Sequence, residues 1–222
     1  MEDEIKKMIK QILSSLNKEN IFDTLINKIE SYIDGQTAHN MIQLKDQAND
    51  KKKKGDLFEA FCFLYVKNIL KHKKVWMWRD IPKDIKEELG LNTTQDYGID
   101  ILSCKNNKYY AIQCKYRKPK DSIQTIPWKS LSTFYGIVTK TGPYEKHVTM
   151  TNTNGCRHIG NKTEKDLSIA IRSFQRLDSF QWLKLIESNE SDLSSSSSNY
   201  VHPNAEELRE KRNLFLNKFE QK

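Results

Sequence analysis

The sequence predicts an α/β domain, a mixed central β-sheet flanked by helices with an added helical N-terminal segment, and three observations carry that prediction. The run DLFEAFCFLYVKNIL, residues 56–70, is apolar on nearly every side, which suits a helix buried between layers. Residues 99–115 hold two β-prone runs parted by Asn106-Asn107, the signal of a tight hairpin. Helix-like and strand-like segments then alternate, and the order helix, strands, helix, strand, helix belongs to a mixed sheet.

The elements follow in chain order. Residues 2–33 read as amphipathic helix in two pieces broken around Asn17 to Asn20, with Ile5, Met8, Ile9, Ile12, Leu13 and Leu16 at helical spacing. Residues 36–50 read as polar helix or loop, and NDKKKKG interrupts the apolar pattern before the buried helix. VWMWRDI reads as a strand, with the alternating Trp76 and Trp78 packing it rather than stacking on bases. PKDIKEELG reads as a short helix with Pro82 early and Gly90 past its end. Beyond the hairpin, PWKSLSTFYGIV reads as a helix and HVTMTNT as a strand. TEKDLSIAIRSF reads as a helix capped by Thr163, with Leu167, Ala170, Ile171 and Phe174 on one face. ESNESDLSSSSSNY is a Ser-rich linker, and a last helix follows. The expected domains are therefore a helical extension over 1–54, the α/β domain over 55–188, the linker over 189–202 and the C-terminal helix over 203–222.

Charge and cysteine usage narrow the function class. With 37 Lys and Arg against 29 Asp and Glu, the net charge of +8 favours a polyanionic partner, although Lys runs also serve as solvated surface. Cys62, Cys104, Cys114 and Cys156 form no metal-binding pair, so reduced thiols in an intracellular setting, cytoplasm or nucleus, are expected. The charged N-terminus is unlike a signal peptide, and no apolar run is long enough to span a membrane.

The hairpin carries the chemistry. A two-residue turn at Asn106-Asn107 pairs Lys105 with Lys108, Cys104 with Tyr109, Ile101 with Ile112 and Asp100 with Gln113. Alternation then gives Ile99, Ile101, Ser103, Tyr110, Ile112 and Cys114 one face, and gathers Asp100, Gln113 and Lys115 on the other. That second face also carries Leu102, Cys104, Tyr109 and Ala111, so it is half-buried, where charges are costly unless paired or bound to a metal. The plain alternative is a solvated hairpin face with a charge pair.

GDLFE at 55–59, DYGID at 96–100 and IQCK at 112–115 together resemble the PD-(D/E)XK, restriction-endonuclease-like nuclease superfamily, nearest to its Mrr-like branch, in which Gln replaces the second acid. The segment from PWKSLSTFYG to GCRHIG is also similar to nuclease domains fused to superfamily 2 helicases, including those of large DNA viruses. The likeness spans residues 55–172. It implies a metal-dependent DNA endonuclease using Mg2+ or Mn2+, with a homodimer, or a helicase module in the same or a partner chain, as partners. Glu59, Asp100, Gln113 and Lys115 are the implied catalytic residues, with Asp100, Gln113, Glu59 and the carbonyl of Cys114 around the metal. Lys115 would orient the attacking water and steady the charge on phosphorus. Asp56 and Glu59 also have the spacing of a capping pair, and Asp96 either fixes the turn beside Gly98 or reaches the metal through water. For substrate grip the sequence offers Lys118, Lys120, Asn152, Asn154, Arg157, His158 and Lys162. Rival readings are a catalytically inactive nucleic-acid-binding module of a helicase or restriction system, and a protein-interaction domain.

Overall fold

The sheet has five strands: β1 (Lys74–Met77), β2 (Ile101–Lys105), β3 (Lys108–Lys115), β4 (Lys146–Thr151) and β5 (Asp166–Ile169), lying side by side in that order. The computed structural model describes residues 1–15, 20–31, 41–91, 98–157 and 163–187, with 41–48 as backbone only. β1, β2 and β3 run antiparallel, while β3, β4 and β5 run parallel, so the sheet is mixed as predicted. Asn106 and Asn107 take φ of 54° and 59°, the conformation a two-residue hairpin requires, and the register is the predicted one from Lys105↔Lys108 to Ile101↔Ile112.

Each face of the sheet has its own core. Ile101, Ile112, Cys114, Val148, Met150 and Ile169 pack under α1 (Glu2–Ser14), α2 (Ile21–Ser31), α3 (Met41–Leu64), α6 (Ile171–Gln175) and α7 (Ser179–Ile186). Phe22, Phe61, Phe174 and Trp182 form its aromatic centre, with Phe22 and Phe174 ring centres 4.9 Å apart and Phe61 and Trp182 stacked at 5.9 Å. The N-terminal helices belong to this core, since Ile5, Ile9, Phe22, Leu25 and Ile29 are fully buried. On the other face, Leu102 and Ala111 pack with α4 (Lys83–Glu88) and α5 (Ser132–Val138) through Ile85, Leu131, Phe134 and Val138.

Three expectations are corrected. NDKKKKG does not break the chain: α3 runs through it, because lysine is a good helix former and Lys51 and Lys52 stay in water while Lys54 pairs with Glu30 at 2.9 Å. Asp56 and Glu59 are therefore inside α3, and the capping reading falls. Residues 166–169 form strand β5 instead of helix, and only Ile171–Gln175 of that segment is helical. There Thr163 donates to Asp166 through its N–H at 2.9 Å and its hydroxyl at 2.8 Å. Ile99 packs with Leu102 and Ala111, on the face opposite to Ile101. The Ser-rich linker and the last helix lie outside the described residues.

Candidate active site

The reversal of Ile99 has a local cause in the way β2 begins. The Asp100 N–H donates to Ile112 O at 2.9 Å, although Ile112 already faces Ile101, so two residues of one strand oppose a single residue of the other. On its other side the Asp100 carbonyl accepts the Trp78 N–H at 2.9 Å. This is the arrangement of a β-bulge, which disturbs alternation and re-aims the side chain of the extra residue. The Asp100 carboxylate reaches the edge of β3, where Oδ2 accepts the Cys114 N–H at 2.5 Å. A residue in an extended strand presents its N–H and C=O to the same side, so the Cys114 carbonyl opens on the same edge.

Gln113 and Lys115 flank that point on β3. Gln113 is 3% exposed, and its Oε1 is buried without a hydrogen-bond partner among the described residues. Such an orphaned acceptor costs about 1–3 kcal/mol unless something fills it. Gly98, at φ 96°, makes room for it: a Cβ there would stand 2.8 Å from Gln113 Nε2 and 3.7 Å from the Phe134 nitrogen. Lys115 ends the strand, half-buried, with its carbonyl accepting the Thr151 hydroxyl at 2.8 Å. Among the described residues no carboxylate stands within ion-pair distance of its ammonium.

Glu59 comes to this edge from α3, on the face it shares with the buried Cys62 and Val66. Burial pushes the Cys62 thiol up, and the charges of Glu59 and Asp100 add to the rise, partly offset by a hydrogen bond with Cys114. Cys114 is raised well above the usual thiol range, by burial first, then by Cys62 and the same two carboxylates. Both thiols thus stay protonated, so the group Cys114 could present to a metal is its carbonyl rather than its sulfur.

The donors fit a hard divalent ion. No group of three or more His, Cys, Asp or Glu among the described residues makes a metal cluster by itself. Around the bulge the chain offers oxygens of the kind such an ion takes: the Asp100 carboxylate, the Cys114 carbonyl and, on the neighbouring residue of β3, the Gln113 amide oxygen, with the Glu59 charge close enough to act on Cys62 and Cys114. Magnesium is held by few protein oxygens and keeps its waters and substrate oxygens, so such a set suffices. Asp96 lies outside the described residues.

The expected substrate contacts separate on inspection. Lys118 and Lys120 are exposed on the loop leaving β3, and Arg157 is exposed across from it. Asn152 is buried and holds the loop, its Oδ1 accepting the Arg117 N–H at 2.8 Å and its Nδ2 donating to the Arg117 carbonyl at 2.7 Å. Asn154 is exposed, and its Oδ1 accepts the Gln124 N–H at 3.0 Å. His158 and Lys162 lie outside the described residues. Trp76 and Trp78 pack partly buried against the second core, with the Lys86 ammonium 4.6 Å from the Trp78 ring centre. A partly buried pair of Glu30 with Lys54, joined by the Tyr116 hydroxyl, ties the N-terminal helices to the residue after Lys115. Its members are about 24 and 86 residues apart in sequence, beyond the reach of any spacing rule.

A family model described as restriction endonuclease matches residues 67–196, more than half of the chain, taking in Asp100, Gln113 and Lys115 and beginning after Glu59. No curated protein and no solved structure matches.

Proposed function

Since the chain belongs to the restriction endonuclease family and is a nuclease by that membership, we propose that it is an endodeoxyribonuclease that depends on Mg2+ or Mn2+. One observation carries the reading: the Asp100 carboxylate accepts the Cys114 N–H, and the residue before Cys114 on β3 is Gln113, whose buried amide oxygen has no partner among the described residues. Asp100, Gln113 Oε1 and the Cys114 carbonyl would hold the ion, with Glu59 assisting from α3. When bound, the ion acidifies the attacking water and offsets charge developing on the phosphate. Lys115 orients that water and, as a cation, neutralises the equatorial phosphate oxygens. Gln113 is a neutral ligand, so the site holds its ion more weakly than one with two acids.

In this reading Lys118, Lys120, Asn154 and Arg157 contact phosphates of the DNA backbone without reading sequence, and His158 and Lys162 are proposed for the same work from the sequence alone. Cutting both strands requires two such sites or two visits, and a homodimer supplies the first. A helicase module, in the same or a partner chain, would supply opened DNA.

The neutral Gln113 specifically favours a second reading, a catalytically inactive module that only binds nucleic acid. Cleavage of supercoiled, linear, single-stranded and branched DNA with Mg2+ or Mn2+ separates the two. The nuclease reading expects cutting that is abolished by Asp100→Ala and by Lys115→Ala, with DNA binding largely kept. Binding without cutting by the wild-type chain supports the inactive module, and full activity in both variants overturns the assigned residues.

A further inference from the structure

Ile123 is 84% exposed, more than any other exposed large hydrophobic residue described: Phe180 is at 61%, Leu167 at 44% and Met1 at 43%. A loose loop would explain this, but the loop is held at both feet. Asn152 clasps the backbone of Arg117 with two hydrogen bonds, while Asn154 binds Gln124 twice, through its Oδ1 at 3.0 Å and its N–H at 2.9 Å. Asn152 and Asn154 are two residues apart, a span of at most about 7 Å, so the loop leaves and returns at nearly one place. A bridge from Ile126 to Cys156 continues the return limb.

Its neighbours Ser122 and Gln124, with Lys120, line a cleft of about 190 Å3 walled mostly by polar residues that also reaches Ile26 and Ile171, and Ile123 is not among the lining residues. The loop thus presents an aliphatic side chain outward, with Arg117, Lys118 and Lys120 exposed behind it and Asp121 as its one acid. It follows directly from Lys115.

We propose that Ile123 is a wedge that inserts between adjacent bases of duplex DNA, while Lys118 and Lys120 hold the flanking phosphates. The inference rests on the DNA reading of the site. Aliphatic wedges partly unstack a base step and kink the duplex, and a rigid support with cations beside it is what such insertion requires. The loop's position places the distorted step next to the strand bond under attack.

The test uses the full chain in EDTA, so that no cutting occurs, with short duplexes carrying 2-aminopurine at successive positions. Binding of the wild type is expected to raise fluorescence at one or two adjacent positions. Ile123→Ala loses the rise and binds about tenfold more weakly, the order of factor expected for removing most of a buried aliphatic side chain. Its salt dependence stays as in the wild type, because no cation is removed. Ile123→Leu restores the signal, and both variants keep the fold because the side chain is exposed. A wild-type chain that binds the duplex in EDTA without any rise, or an Ile123→Ala chain indistinguishable from it, overturns the wedge alone. Absence of DNA binding by the wild type overturns the nuclease reading as well.

Discussion

Gly98→Ala tests the architecture of the site at its tightest point. The residue sits at φ 96°, where an L side chain costs about 1–2 kcal/mol. The added Cβ would meet Gln113 Nε2 at 2.8 Å, well inside van der Waals contact. Gln113 is 3% exposed, so its amide must leave its rotamer, adding on the order of 1 kcal/mol. The sum, about 2–3 kcal/mol, lowers the melting temperature of a unit this size by about 5–10 °C. Thermal unfolding followed by circular dichroism measures it, and cleavage well below both transitions measures the effect on the site. On a Gln113→Ala background the contact is gone and only the backbone part, about 1–2 kcal/mol, is left. Equal costs in both backgrounds would show that the two residues do not collide and would refute the reasoning.

Two further outcomes follow from the same structure. His72 is buried beside Ser103, its Nδ1 2.8 Å from the hydroxyl, and burial with Lys105 nearby pushes its imidazole down to about 4. An unfolded histidine titrates near 6.5, so this contribution is complete above that pH and is lost as pH falls from about 6.5 toward 4. His147, also lowered by burial, adds to the same slope. Urea midpoints between these pH values should fall less in His72→Asn than in the wild type, and parallel curves would contradict the assignment. Asn152→Ala loses both hydrogen bonds to the Arg117 backbone and is expected to cost about 1–3 kcal/mol in urea unfolding, with a larger fractional loss of cleavage. Unchanged cleavage would show that the loop needs no such support.

The parts of this fold that sequence reasoning reaches are those fixed by neighbours along the chain. Asn106-Asn107 sets a turn, the turn sets a register, and the register aligns the two hairpin strands. The bulge escapes this logic. Whether Asp100 or Ile101 faces Ile112 depends on the residue just after β1, Trp78, whose N–H holds the Asp100 carbonyl, and nothing in DYGID announces that partner. The consequence is chemical as well as geometric, because the Asp100 carboxylate meets the Cys114 N–H of β3 and its N–H meets the Ile112 carbonyl, so Asp100 is not simply paired opposite Gln113.

Tertiary context also decides β5. Leu167, Ala170, Ile171 and Phe174 fit a helical stripe, yet the open edge of β4 offers Asp166–Ile169 a parallel partner, and Asp166 gains His147 at 3.2 Å there. Leu167 remains 44% exposed, so local periodicity yielded to pairing. The lysines at 51–54 misled in the opposite direction, since a charge run can be the solvated side of an unbroken helix. Asn152 had the composition of a phosphate contact. Its burial shows it serving the loop backbone, which only the packed structure reveals.

The central claim is that Asp100 anchors a divalent ion at the bulge, with Gln113 and the Cys114 carbonyl. Titrating Mn2+ into the full chain, with the free ion followed by electron paramagnetic resonance, tests it without reliance on cleavage. The account predicts saturable binding by the wild type, at least about tenfold weaker binding by Asp100→Asn, and near-wild-type binding by Lys115→Ala, which nonetheless fails to cut. Mn2+ binding by Asp100→Asn equal to that of the wild type would contradict it.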